Sequence, residues 1–210
     1  MQCDDSPTPA RPALLELLLS LLSRLSYRRG MTTLASGRRS DFYIDCKQTL
    51  LNAHGASLVG RLCWDRVQQL RAAGQPVVGV GGLSLGADPI AVATALCSAE
   101  SPEPVHAFII RKEPKGHGTR AYLEGSANLP AGSPVLIVED VVTTGASTQK
   151  AVERARLADL QPIAILALVD REEGGEAALQ HLGLPFSALL RRRDFIDPAA
   201  APSADGAAHA

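Results

Sequence analysis

The sequence predicts an α/β fold, a parallel sheet with helices on both faces, plus a small N-terminal hairpin set over one rim as a hood. Three observations predict it. Apolar runs at residues 76–80, 105–110, 135–138 and 163–169 alternate with helical patterns at 89–98, 147–157 and 176–182. Such alternation argues for βαβ units buried on both sides of the sheet. A polar or glycine-rich loop follows each run, at the end where open α/β sheets bind ligands.

The elements follow in order. Residues 1–12 and 198–210 are rich in Pro, Ala, Ser and Asp without apolar period, and read as flexible tails around a single domain at 13–197. Residues 14–27 carry a helical pattern with leucine on most of the circumference, which calls for burial on two sides, a subunit contact being one way to achieve it. Residues 33–51 read as two short strands or a hairpin, with Ser36-Gly37 as the turn and Phe42-Tyr43-Ile44 as strand. A long helix covers 54–73, the alternating runs follow, and a last short strand covers 186–190.

Composition excludes several classes. The chain has 210 residues, 46% of them hydrophobic, enough for a full core in one domain. A net charge of −1 gives no general attraction to nucleic acid. Residues 14–25 include Glu16 and Arg24, too short and too polar a stretch to span a membrane, and the start is acidic at Asp4 and Asp5, unlike a signal peptide. Cys3, Cys46, Cys63 and Cys97 show no CxxC pairing or metal-ligand spacing, and the five histidines form no HxxxH pair. Reduced thiols in the cytoplasm are the expectation.

The most informative stretch begins at Val135. Four apolar residues read as a buried strand, Glu139 and Asp140 follow at its C-terminal end, then Val141, Val142, Thr143, Thr144, Gly145 and Ala146, with a helix opening around Ser147. A helix N-terminus after small residues offers unpaired N–H groups to a phosphate. Hydroxyls of Thr143, Thr144, Ser147 and Thr148 can add donors. Carboxylates do not face a phosphate directly, so Glu139 and Asp140 serve something beside it, for which sugar hydroxyls or Mg²⁺ are suited. The implied ligand is a phosphorylated ribose. No GxxxxGK[ST] exists in the chain, and Gly79, Gly81 and Gly82 do not complete GxGxxG.

This stretch resembles the phosphoribosyl pyrophosphate (PRPP) motif of the type I phosphoribosyltransferases in order, spacing and flanking strand. The resemblance implies a type I phosphoribosyltransferase fold with its hood. Residues 79–88, with four glycines, correspond to the family's pyrophosphate loop; one version of the family has an aromatic-lysine pair where this chain has Leu85-Gly86. The run Arg111-Lys112-Glu113-Pro114-Lys115-Gly116-His117 follows the apolar strand 105–110 and extends to about residue 128, long enough for a lid. It matches the catalytic loop of orotate phosphoribosyltransferases at Arg111, Lys112, Lys115 and His117. In that family part of the loop reaches the neighbouring subunit's site, which implies a homodimer sharing residues 111–118. Asp170-Arg171 ends the run 163–169, and the family uses an arginine there for the orotate carboxylate, which a guanidinium fork suits; a solvated turn is the bland alternative.

The resemblance covers nearly the whole chain, from Thr33 to about Phe195. It implies transfer of ribose 5-phosphate from PRPP to orotate, giving orotidine 5′-monophosphate and pyrophosphate in pyrimidine biosynthesis. Lys115, His117 and Asp140 would be catalytic. Arg111, Lys112, Lys115, His117 and the stretch from Glu139 to Ser147 would hold PRPP. Thr143 and Arg171 would hold orotate, with Phe42 or Tyr43 over its ring; either could equally be a core residue. Mg²⁺ would be the cofactor, held mainly through PRPP rather than by protein ligands. Some members have a lysine just before Ser-Gly of the hairpin, where this chain has Ala35, and Lys47 is a weak substitute. Two alternatives stay open: a purine phosphoribosyltransferase of the same fold, and a PRPP-binding regulator.

Overall fold

The computed structural model of the chain describes residues 10–33, 39–114 and 122–196. Helix α1 spans Arg11–Leu25, opening with a proline in its first turn. It therefore starts earlier than its leucine pattern suggested, and Arg11 is already tied to Asp65 by an ion pair. Leu14, Leu15, Leu18, Leu21 and Leu22 are buried, each contributing about 1.5–3 kcal/mol by transfer from water. They pack within this chain, chiefly on the long helix α3 (Ala53–Ala72). The two-sided burial is thus met largely inside the chain, leaving Leu17 and Leu25 exposed.

The hood is a two-stranded antiparallel hairpin, β1 Tyr27–Thr33 with β2 Arg39–Ile44. Its first strand lies before the stretch assigned to it from sequence, because Tyr27 ends the helix pattern but opens the strand. Residues beyond the hairpin form a short helix α2, Lys47–Leu50, instead of further strand. The Ser36-Gly37 turn lies outside the described residues. Helix α3 is capped by Asn52, whose side chain accepts from the His54 and Gly55 N–H groups at 3.1 and 3.2 Å.

The main sheet has six strands in the order β5-β4-β3-β6-β7-β8. They are β3 Gly79–Leu83, β4 His106–Ile110, β5 Leu123–Glu124, β6 Pro134–Val142, β7 Gln161–Asp170 and β8 Phe186–Arg191. All pair in parallel except β5, which runs antiparallel to β4. Helices α1, α3 and α4 (Ala87–Ser98) cover one face, and α5 (Ala146–Leu157) with α6 (Gly175–Leu179) covers the other. A last short helix, α7 Arg192–Ile196, was not read from the sequence.

Two shifts matter for the site. The glycines at 79, 81 and 82 belong to strand β3, not to a loop, and β3 is buried along its length. A Cβ on Gly81 would strike the Phe108 carbonyl, and one on Gly82 the Val138 carbonyl. These residues let the central strands and α4 close up. The second shift is at β6, which runs on through Glu139 and Asp140 to Val142. From β3 the chain crosses to β4 on one side, while β6 pairs on the other. The strand order reverses there, and such a switch point is where open α/β sheets hold ligands.

Candidate active site

The carboxyl ends of β3 and β6 meet in a cavity of about 230 Å³. It is lined by Lys47, residues 83–86, Lys112, Glu139, Asp140, Val141 and Ser147. Larger hollows lie elsewhere, one of about 630 Å³ around Arg11, Trp64 and Asp65 beside α1 and α3. The smaller cavity at the switch point gathers residues of the motif and is the candidate.

After β3 the chain makes a tight turn at Ser84, Leu85 and Gly86, with a cis peptide between Ser84 and Leu85. The Ser84 N–H donates to the Ile110 carbonyl at 2.8 Å, tying this turn to the end of β4. Gly86 has no room for a side chain, since a Cβ there would collide with the Asp140 carboxylate. The loop is therefore close backbone laid against a carboxylate.

Glu139 and Asp140 point to different places, as neighbours on a strand must. Glu139 is only 5% exposed, and the Thr148 hydroxyl donates to its Oε2 at 3.4 Å. Burial, then the charge of Asp140, pushes the Glu139 carboxyl up from its ordinary 4.5 to about 8. Thr148 is itself buried, so its hydroxyl serves Glu139 instead of a ligand. Asp140 faces the cavity, and its Oδ1 accepts from the Val141 N–H at 3.0 Å.

Beyond β6, Thr143 is half-buried, Thr144, Ala146 and Ser147 are exposed, and Gly145 turns the chain into α5 with φ +81°. No side chain caps α5, so its first N–H groups are available beside the exposed Thr144 and Ser147 hydroxyls. Val142 contributes no side chain here. It is buried in the core, and its carbonyl accepts the Arg171 N–H at 2.9 Å.

Residues 111–112, where the sequence leads one to expect the start of a lid, are anchored. Arg111 pairs with Glu124 at 3.0 Å and also donates to the Glu113 carbonyl, while Lys112 lines the cavity. Beneath them Arg154 of α5 donates to the carbonyls of Arg111 and Lys112, and its guanidinium lies 3.9 Å from the centre of the Tyr122 ring. Sequence reading missed Arg154, whose only signal was a basic residue in the last turn of a helix. Lys115 and His117 lie outside the described residues.

Arg171 sits at the end of β7, one strand over from the cavity. It is 7% exposed, donates to the Phe42 carbonyl at 3.0 Å, and pairs with Glu173 at 2.6 Å. The bland reading of a solvated turn fails for it. Its neighbour Asp170 is also buried and pairs with Arg191 at 3.1 Å. Of the two roles left open for the Phe42 ring, cover for a base or core residue, its burial fits the second. That ring is fully buried in an aromatic cluster with Tyr27 and Phe195, at centroid distances of 5.0 and 5.7 Å. Alternation along β2 puts Tyr43 on the other face, half-buried.

Metal-binding chemistry is limited. Among the described residues no three carboxylate, histidine or cysteine side chains gather to hold an ion. Hard oxygen donors at the cavity are the paired Glu139 and Asp140, which suits a Mg²⁺ ion that keeps its waters and takes most ligands from a phosphorylated substrate. No helix among the described residues is long and apolar enough to cross a membrane.

Comparison with known proteins gives the same direction. No family model matches the chain. It is 46% identical over 181 residues to the orotate phosphoribosyltransferase of Sorangium cellulosum (strain So ce56), covering 86% of this chain and 92% of that protein. Crystal structures of Mycobacterium tuberculosis H37Rv orotate phosphoribosyltransferase are also similar. The complex with Fe(III) dicitrate aligns with a TM-score of 0.72 at 36% identity, covering 89% of this chain and 99% of that one. The complex with PRPP aligns with a TM-score of 0.68 at 34% identity and the same coverage.

Proposed function

The chain belongs to the orotate phosphoribosyltransferase family, and from that premise we propose how its residues carry out the reaction. The enzyme transfers ribose 5-phosphate from PRPP to orotate in pyrimidine biosynthesis, releasing pyrophosphate. One observation carries the residue assignment: Glu139, Asp140, Ser147 and Lys112 converge with the turn after β3 on one cavity at the switch point.

The 5-phosphate rests on the uncapped N-terminus of α5, with hydroxyls from Thr143, Thr144 and Ser147. Asp140 accepts from a ribose hydroxyl and favours positive charge there, while Glu139, protonated by its burial and tied to Thr148, backs it in the cavity wall. Pyrophosphate lies along the backbone of residues 84–86 beside Lys112. Arg111 at the root of the lid, with Lys115 and His117 further along it, supplies the remaining cations. Orotate sits toward Arg171, which holds its carboxylate, with Tyr43 and Thr143 nearby.

As the C1–O bond of the ribose breaks, positive charge grows on the sugar and negative charge on the leaving group. Asp140 stabilises the first and the lid cations the second. N1 of orotate bonds to C1 as the C1–O bond breaks, and the N1 proton passes to the departing pyrophosphate. Closure of residues 111–118 keeps water from the activated sugar. Mg²⁺ would be held mainly through PRPP, with Asp140 beside it, and would offset the negative charge that grows on the leaving group. The working form is a cytoplasmic homodimer in which residues 111–118 serve the partner's site.

The test is spectroscopic. Orotate absorbance should fall only when PRPP and Mg²⁺ are both present. Equal turnover of adenine or hypoxanthine would overturn the orotate assignment.

A further inference from the structure

Lys47 reaches the cavity from the hood side. It opens α2, just past the hairpin, and lines the same cavity as Lys112, Asp140 and the turn after β3. Its Nζ lies 2.7 Å from Asp45 and 4.0 Å from Asp140. The Lys47 side chain is 45% exposed. An ion pair that open to solvent is worth about 0–1 kcal/mol, and a lysine stem is long and flexible. The pair with Asp45 is therefore easily exchanged for a stronger one.

The site has a need for such a cation. The turn after β3 carries none, and Gly86 cannot be given a side chain in this geometry, because the Asp140 carboxylate occupies the space. Among the described residues of the lining, Lys47 and Lys112 are the cations, set against Glu139 and Asp140. Without Lys47, one described cation would face two carboxylates and a polyanionic substrate.

Resting on the reading of this cavity as a PRPP site, we infer that Lys47 is a substrate-contacting residue. Its ammonium leaves Asp45 and pairs with the pyrophosphate of bound PRPP beside Asp140. It supplies from the hood the cation that the turn after β3 lacks. Asp45 is then a resting partner that competes mildly with substrate. Its hydrogen bond, the first cause, and the nearby Asp140 charge hold the Lys47 pKa above its ordinary value, so the residue stays charged.

Calorimetry on the full chain tests this, with PRPP and with pyrophosphate, each with Mg²⁺, alongside the KM for orotate and the melting temperature. Lys47→Gln and Lys47→Met both remove the charge and keep most of the stem, so a folding defect in one leaves the other readable. Each should weaken pyrophosphate and PRPP on the order of 10- to 100-fold, with the KM for orotate and the melting temperature little changed. Lys47→Arg should recover most of the loss. Asp45→Asn separates contact from scaffolding: it should bind PRPP as well as the wild type or better. Wild-type PRPP affinity in both uncharged variants would overturn the assignment, as would an Asp45→Asn loss equal to theirs. A wild-type chain that consumes orotate while those results appear would confine the failure to Lys47. A wild-type chain that neither binds PRPP nor consumes orotate would overturn the site reading and this inference together.

Discussion

Two residues at the site carry opposite electrostatic problems. Glu139 is a buried acid beside another acid, and the folded chain binds its proton more tightly than the unfolded chain does. Its contribution to stability is full below the ordinary 4.5 and is lost as pH rises through about 8. Glu139→Gln removes that dependence. Its melting temperature should match the wild type near about pH 4 and exceed it at about pH 9, by about 2–4 °C for each kcal/mol recovered in a chain of this size. Identical melting profiles across that range would show that Glu139 ionises at no cost to the fold. Arg171 is a buried base already matched by Glu173 at 2.6 Å. An orotate carboxylate must share or displace that partner. Arg171→Ala should weaken orotate binding by about 2–5 kcal/mol and leave PRPP affinity nearly intact, whereas Glu173→Gln should tighten orotate. Titration of each variant with orotate decides it; unchanged affinity in Arg171→Ala would hand the carboxylate to another group.

At the level of elements, the alternation of apolar runs and helical stretches was legible because fully buried strands and amphipathic helices leave different periods. Boundaries were less so. Gly79, Gly81 and Gly82 looked like a loop, since glycine is the usual loop residue, yet here they are strand positions crowded against a Cβ by backbone carbonyls at Gly81 and Gly82 and by the Leu129 and Val135 side chains at Gly79. Packing distance between strands leaves no trace in a single sequence. The same blindness applies to Phe42, whose aromatic cluster draws on Tyr27 and Phe195 from far along the chain. Gly86 turns this lesson into a measurement. Gly86→Ala puts a methyl where the Asp140 carboxylate now stands, so either that carboxylate turns out of the cavity or the turn after β3 moves away from β6. Overpacking of this kind costs typically about 1–3 kcal/mol. The kcat/KM for PRPP should fall at least about tenfold, the equivalent of about 1.4 kcal/mol, while the KM for orotate moves little. A variant with wild-type kcat/KM would mean that Asp140 can turn aside without loss.

On the scale of the whole molecule, the switch point was legible in the sequence but the assembly was not. The motif at β6 was legible because it packs strand, carboxylates and phosphate loop into consecutive residues. Lys47 was legible only as a weak substitute for the lysine missing at Ala35, and Arg154 not at all, because both join the site through tertiary packing. The case for two subunits has also changed its footing. Most of the α1 leucine stripe is buried within the chain, with Leu17 at 52% exposure left over, so the helix no longer demands a partner. What remains is the basic lid and its likeness to a loop that crosses between subunits. Complementation tests that directly. If Lys115 acts in the partner's site while Arg171 acts in its own, Lys115→Ala and Arg171→Ala homodimers should each be nearly inactive. Mixed in equal amounts and re-equilibrated, they form about half hybrids if exchange is random, as symmetry allows. In each hybrid one site receives both defects and the other receives neither. Activity should therefore recover to about a quarter of wild type by that random-exchange arithmetic. If both residues served the same chain's site, every site in the mixture would carry one defect. Mass tagging of one variant reports whether subunits exchange, and confirmed exchange without recovered activity would exclude a crossed lid.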